Sequence, residues 1–297
     1  MSRRYQFEFV LLAAVWGASF LFMRIAAPAF GPLPLMALRC AIGAAVLVPI
    51  VLLVSRPTVV DVVRRRGGSL LFAGLVNSAI PFVLFGFAAL SLSAGFASIL
   101  NATTPIFGAV VGYLWLHERL TPLRIIGLVV GLAGVVVLSW DKATFGADGT
   151  FWAVVGILVA TACYGVAGNF AKRAFVGVDP VIVAAGSQTG ALLVLLGPGI
   201  AAWPDAAPPL AAWLCALALG AVSTGLAYLL FYRLIASAGP SAAMSVTFLI
   251  PVFGVVWGML FLGETLDAPT IVGGAIVLLG TALATGVLAP GRDARGR

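Results

Sequence analysis

Charge is scarce in this chain: 9% of its 297 residues are charged, against 62% hydrophobic. A soluble domain carries about a quarter charged residues, because its surface must face water. So sparse a set cannot clothe that surface, which leaves lipid as the solvent. Cysteine is scarce too. Cys40, Cys163 and Cys215 stand singly in apolar runs, without the spacing of a disulfide framework or a zinc site, and read as small hydrophobes inside helices. Histidine occurs once, at His117, where an apolar run meets water. No Gly-x-Ser-x-Gly is present, and an intramembrane hydrolase needs a nucleophile with its base, or metal ligands, at depth. The expectation is neither an enzyme nor a metal protein, and no cofactor.

What the chain has in abundance is apolar runs. A helix crossing the hydrocarbon core needs roughly 20 apolar residues, and ten runs qualify: 7–26, 34–54, 69–90, 94–116, 122–140, 151–171, 181–203, 210–236, 241–262 and 269–289. The expected fold class is an all-α integral membrane protein with ten transmembrane helices and short links. Run one resembles a leader peptide, with Arg3 and Arg4 before it and Ala27-Pro28-Ala29 after it. Its length exceeds the apolar core of a leader, and it has a mate inside the chain, so it is expected to be a retained span. With the N-terminus in the cytoplasm, fourteen Arg and Lys fall on the cytoplasmic side and two, Arg24 and Lys142, outside. That bias places both termini in the cytoplasm. It also accounts for the net charge of +7 without a nucleic-acid partner. The expected location is the inner (cytoplasmic) membrane, and the expected partners are the bilayer and a small-molecule solute.

The chain is one unit written twice. Adding 146 to Pro105, Phe107, Gly108, Val110, Gly112, Leu114, Leu116, Glu118 and Leu120 gives Pro251, Phe253, Gly254, Val256, Gly258, Leu260, Leu262, Glu264 and Leu266. These are nine identities in sixteen ungapped positions, inside the longer stretches 94–120 and 240–266. Trp16-Gly17 and Arg24 match Tyr164-Gly165 and Lys172 at an offset of 148. Five crossings is an odd number, so the second unit enters the membrane from the other side. Such inverted repeats serve secondary transporters, whose halves exchange roles as access alternates.

Trp16-Gly17, Phe20, Arg24, Arg39, and Pro105 with its glycines and 116–120, echoed in the second half, give the chain its resemblance to the EamA family of the drug/metabolite transporter superfamily. The resemblance covers 8–140 and 151–288. It implies two inverted five-helix halves, helices 1–5 and 6–10, around a shared central cavity, and a transport activity. It is nearly silent on substrate. The second copy departs at two places, Tyr164 for Trp and Gly168 for Phe, so the two halves need not contribute equally.

Several residues are candidates for the solute path. Proline loosens a helix, and Asn101, Pro105, Gly108 and Gly112 share one helical face, as do Thr247, Pro251, Gly254 and Gly258. Freed carbonyls with Asn101 or Thr247 could line a midplane cavity; the glycines could equally serve close helix packing. Arg39 is the one base held inside a crossing, where it needs water, a partner or a solute anion, or else snorkels outward. Trp16, Phe20, Phe82, Phe85, Tyr164, Tyr228, Phe231 and Tyr232 could stack on a solute or simply pack. Asn77, Ser78, Asn169, Gln188, Ser223 and Thr224 are polar at depth, and Asn77/Ser223 and Ser78/Thr224 match across the repeat. Glu118 and Glu264 end their runs as candidate gates, each pairing with a nearby base, or as solvated helix ends. No acidic residue stands mid-run, whereas ion-coupled pumps often place a carboxylate there. Export or facilitated exchange of a metabolite, such as an amino acid, is the resulting expectation.

Overall fold

The computed structural model describes residues 3–140, 149–239 and 243–285. Lys142, Pro240, Arg292, Arg295, Arg297, positions 241–242 of run nine and positions 286–289 of run ten lie outside them. The regular structure among the described residues is helical, with no strand. Ten helices are long and apolar enough to cross a membrane: α1 Arg3–Phe30, α2 Pro32–Leu53, α3 Pro57–Ser91, α4 Ala94–Leu116, α5 Pro122–Ser139, α6 Thr150–Ala174, α7 Pro180–Ala201, α8 Leu210–Ser237, α9 Ser245–Leu262 and α10 Ala268–Thr285. The protein is a multi-pass membrane protein.

The alternation of the helices is visible in the side chains that meet at each end. At the face where α1 starts, Glu8 accepts from Arg4 at 3.0 Å and from Arg233 of α8 at 2.7 Å. On the same face Arg66 of α3 donates to the Ala174 carbonyl of α6. At the opposite face Arg24 donates to the carbonyls of Ala89 and Leu90 at 2.7 and 3.1 Å. Phe30, 1% exposed, is wedged there between Trp203 and Trp213, with ring centroids 5.9 and 4.9 Å away. Edge-to-face pairs of this kind contribute about 0.5–1.5 kcal/mol each beyond burial.

The expected third run begins at 69, but α3 begins at Pro57. Arg64, Arg65 and Arg66 are therefore helical rather than part of a link. Residues one turn apart support this start, since Arg65 pairs with Asp61 at 2.6 Å. The 35-residue helix spans about 52 Å at 1.5 Å per residue, well beyond the hydrocarbon core.

Apolar burial does not drive helix association in lipid, so close backbone approach at small residues must. The repeat governs where that happens. A Cβ added to Gly17 of α1 would lie 2.9 Å from the Gly254 nitrogen of α9; one on its mate Gly165 of α6 would lie 2.9 Å from the Gly108 nitrogen of α4. Likewise Gly74 of α3 abuts Ala191 of α7, and Gly220 of α8 abuts Ile42 of α2. Each half thus packs its helices into the other half by the same contacts. α5 and α10 pair with each other through glycines; a Cβ at Gly134 would lie 2.6 Å from the Val277 nitrogen.

The loosening expected around both prolines is present. The fourth crossing breaks at Ala102-Thr103, between helical segments Ala94–Asn101 and Thr104–Leu116. The ninth starts as a 3-10 turn, Ser245–Phe248, before Ile250–Leu262. A π-helical segment recurs in both halves, Leu75–Ala79 in α3 and Ala218–Leu226 in α8. Such widened turns are frequent at functional sites.

Candidate functional site

One cavity of about 380 Å³ occupies the centre, lined from α1 to α4 of the first half and α6 to α9 of the second. α1 presents Trp16, Ser19, Phe20 and Met23 to it, and α6 presents Tyr164, Ala167, Gly168 and Ala171. These are the same four positions of one helical face, 148 apart in sequence. Asn101 and Thr247 line it, as do Asn77 and Ser223, Phe82 and Tyr228, and Phe85 and Phe231, each pair 146 apart in sequence. The cavity is blind at one end, where Phe20, Met23, Arg39, Phe82 and Phe85 are buried. At the other end Met244 is 46% exposed. The mouth therefore lies toward the face where α1 starts.

Among the described residues of the wall, Arg39 is the one charged side chain. It is 7% exposed. Its Nε donates to Thr224 Oγ1 at 3.0 Å, and Thr224 donates on to the Leu219 carbonyl at 2.9 Å, a five-residue reach that the π turn opens. Its Nη1 lies 3.9 Å from the sulfur of Met23, and its guanidinium carbon sits 3.6 Å from the centre of the Phe82 ring, a cation–π contact. No carboxylate pairs with it among the described residues.

Aromatic rings make most of the remaining surface. Phe85 meets Phe20 edge-on at 5.7 Å and lies nearly parallel to Tyr164 at 6.2 Å. Toward the mouth Trp16 leans on Phe231 at 5.2 Å, and Tyr228 stacks with Tyr232 at 6.2 Å. The Asn77 amide donates to the Tyr228 hydroxyl at 3.0 Å, tying α3 to α8.

Of the expected path residues, Trp16, Phe20, Arg39, Asn77, Phe82, Phe85, Asn101, Tyr164, Ser223, Tyr228, Phe231, Tyr232 and Thr247 stand on the wall. Others stand behind it. Ser78 is fully buried and accepts from Gln188 at 2.8 Å. Thr224 holds Arg39 from behind. Asn169 donates to the carbonyls of Gly108 and Gly165 at 2.9 and 2.8 Å, a clamp between α4 and α6. Pro105 and Pro251 shape the backbone rather than the lining. The Asn101 carbonyl freed near Pro105 is taken by the Thr104 hydroxyl at 2.8 Å. Ser19, Met23, Thr104, Ser187 and Met244 also line the cavity, beyond the residues expected there. For Ser19 and Met23 the signal was present, as both lie on the helical face of Trp16 and Phe20.

The two glutamates end their helices in one geometry. In each, the glutamate nitrogen donates back to a glycine carbonyl, Glu118 to Gly112 at 3.1 Å and Glu264 to Gly258 at 3.2 Å. The preceding residue, His117 or Gly263, takes a positive φ. The carboxylate then folds over that same glycine. A Cβ on Gly112 would lie 3.1 Å from Glu118 Oε2, and one on Gly258 would lie closer still to Glu264. Beyond this shared turn the two faces differ. At the mouth side Glu118 pairs with Lys172 at 2.9 Å. At the closed side Glu264 accepts from the backbone nitrogens of Ala94 and Gly95 at 2.7 and 3.1 Å, capping the start of α4. Arg24, the mate of Lys172, grips the end of α3.

Ten helices long enough to span a membrane, eight of them around a solute-sized central chamber, define a multi-pass membrane protein built around a cavity. The chain belongs to the EamA-like transporter family, whose sequence profile matches residues 6–140 and 151–286. It is 24% identical over 275 residues to an uncharacterised transporter of Archaeoglobus fulgidus, covering 91% of this chain and 94% of that one. It is also 24% identical over 275 residues to a probable terminal-alkyne amino-acid exporter of Streptantibioticus cattleyicolor, covering 92% and 91%. A solved crystal structure aligns with a TM-score of 0.67 at 20% identity, over 97% of this chain and 98% of the other, a likeness of fold.

Proposed function

We propose that the protein is a secondary transporter, without enzymatic activity, that moves a small organic metabolite, an amino acid or similar solute, outward across the cytoplasmic membrane. Its two inverted repeats, 8–140 and 151–288, alternate access to the central cavity. The observation that carries this reading is the cavity itself, walled by repeat-equivalent positions of both halves, blind at one face and open at the other. With both termini in the cytoplasm, as the distribution of Arg and Lys favours, the mouth faces the cytoplasm, where an exporter loads. The amino-acid exporter among its relatives favours the same solute class and direction.

In this reading Trp16, Phe20, Arg39, Asn77, Asn101, Tyr164, Tyr228 and Thr247 contact the solute. Ser78, Pro105, Asn169, Thr224 and Pro251 position those residues. Glu118 and Glu264 are gates that work in antiphase. The closed face is held by Glu264 on α4 and Arg24 on α3, while at the open face the mates Glu118 and Lys172 pair with each other and Lys172 also donates to Asn169 of its own helix at 3.3 Å. Import or exchange of the same solutes is the second reading, since direction follows the gradients. The test is flux in proteoliposomes loaded in turn with amino acids and related metabolites. Saturable, protein-dependent flux of one solute class is expected. Folded protein that moves none of them refutes the proposal.

A further inference from the structure

We infer that the blind end of the cavity is an anion subsite in which Arg39 takes a single carboxylate, and that the favoured solute is a monocarboxylate with a flat apolar body. The inference rests on the cavity being the solute site and narrows the class of solute it takes.

A guanidinium at membrane depth is costly unless water, a partner or a ligand compensates it. Arg39 carries five N–H donors in a planar fork. Only Nε meets a good acceptor, Thr224 Oγ1 at 3.0 Å. Nη1 has the Met23 sulfur at 3.9 Å, and thioether sulfur is a weak acceptor. Thr224 and the Phe82 ring, 3.6 Å from the guanidinium carbon, hold the fork in place without neutralising it. The residue is 7% exposed, lines the cavity, and has no carboxylate partner among the described residues. A preoriented fork of this kind matches a carboxylate by two parallel hydrogen bonds.

The rest of the wall decides which anion fits. One cation balances one negative charge, so a phosphate dianion would leave a charge stranded among aromatic rings, whereas a monocarboxylate leaves none. No Asp or Glu among the described residues lines the cavity, so an ammonium group meets only neutral oxygens and rings. A zwitterion is thus recognised at one end, and an amine lacking a carboxylate is repelled by Arg39. Beside Arg39, the edge-on Phe20–Phe85 pair and the nearly parallel Phe85–Tyr164 pair offer faces for a flat apolar body.

The test uses three probes sharing one phenyl body: 3-phenylpropionate (anion), phenylalanine (zwitterion) and phenethylamine (cation). Binding to the purified full chain is followed by the fluorescence of Trp16, with Trp16→Phe separating its signal from the other tryptophans. Affinity should fall in that order, with at least about tenfold between the first and the last. Arg39→Gln should erase the spread. Arg39→Lys, which keeps the charge but loses the fork, should keep the order at weaker affinity. An Arg39 that merely braced α2 against α8 would leave the order of the three probes unchanged in both variants. Equal binding of anion and cation, an unaltered order in Arg39→Gln, or binding of none of the three overturns the inference. Saturable flux of some other solute alongside any of those results would leave the transport reading standing. Anion-selective binding without flux of any solute would keep the subsite and remove the transporter.

Discussion

Gly168 occupies the place that Phe20 fills in the first half, and a Cβ there would meet nothing within 4 Å. The repeat has left one corner of the chamber empty, and the cavity of about 380 Å³ depends on it. Gly168→Phe should project its ring into that space and lower solute affinity and flux by about tenfold or more. Stability should stay within about 1 kcal/mol, because the site is open and phenylalanine is the better helix former. Gly168→Ala should keep transport. Melting curves in detergent beside flux measure both, and full activity in Gly168→Phe would show that solute does not use this corner. At this scale the sequence was legible where a side chain is unusual for its depth. Arg39, Asn77, Asn101 and Thr247 stand out against an apolar background, and all four line the wall. Whether a polar residue faces the chamber or a neighbouring helix was not legible. Ser78 and Asn77 are adjacent, yet Ser78 points at Gln188 and Asn77 at Tyr228, a choice made by the widened turn at 75–79.

Helix packing divides the repeated glycines between two tasks that share one spacing. Gly254 receives Ser98 and Gly17 of neighbouring helices, whereas Gly258 makes room for its own Glu264. The Gly-x-x-x-Gly spacing suggested a single packing face, and in each repeat only the first glycine serves it, Gly254 against Gly17 and Gly108 against Gly165. Gly258→Val should therefore displace the carboxylate and cost about 1–3 kcal/mol as an overpacked site. Gly108→Ala, with nothing within 4 Å of the added carbon, should be neutral or gain up to about 1 kcal/mol from helix propensity. Thermal unfolding of the two variants side by side checks the contrast, and equal destabilisation would place both glycines in the same role. The helices themselves were plain in the sequence, since hydrocarbon thickness dictates their length. The early start of α3 was not. Three consecutive arginines read as a link because hydropathy ends there, while backbone hydrogen bonding and the Asp61–Arg65 pair continue the helix regardless.

Across the whole molecule, the mated glutamates make different contacts in one conformation, and this is what an alternating machine requires. If the halves exchange roles, the contact that Glu264 makes with the start of α4 belongs to the state with its mouth at the face where α1 starts, and the mirror contact of Glu118 belongs to the opposite state. The Glu118–Lys172 pair is half-exposed and worth little by itself, so losing it should hardly disturb the state described here. Losing Glu264 removes a charged acceptor from two backbone donors, about 1.5–3 kcal/mol apiece at the upper end, from the closed face alone. The substitutions should therefore shift the equilibrium in opposite directions. With Cys40, Cys163 and Cys215 replaced, Met23→Cys provides a reporter at the blind end, open to a membrane-impermeant thiol reagent from the far face only after the switch. Glu264→Gln should raise its labelling rate from that face by about tenfold or more, since about 1.4 kcal/mol corresponds to a factor of ten in population. Glu118→Gln should lower it, because the state that exposes Met23→Cys would lose its own latch. A shift of the same sign in both variants would mean that the glutamates stabilise their helix ends locally and do not couple the two faces. Opposite shifts would make the pair a two-state device, with the linear repeat in the sequence serving as the source of its symmetry.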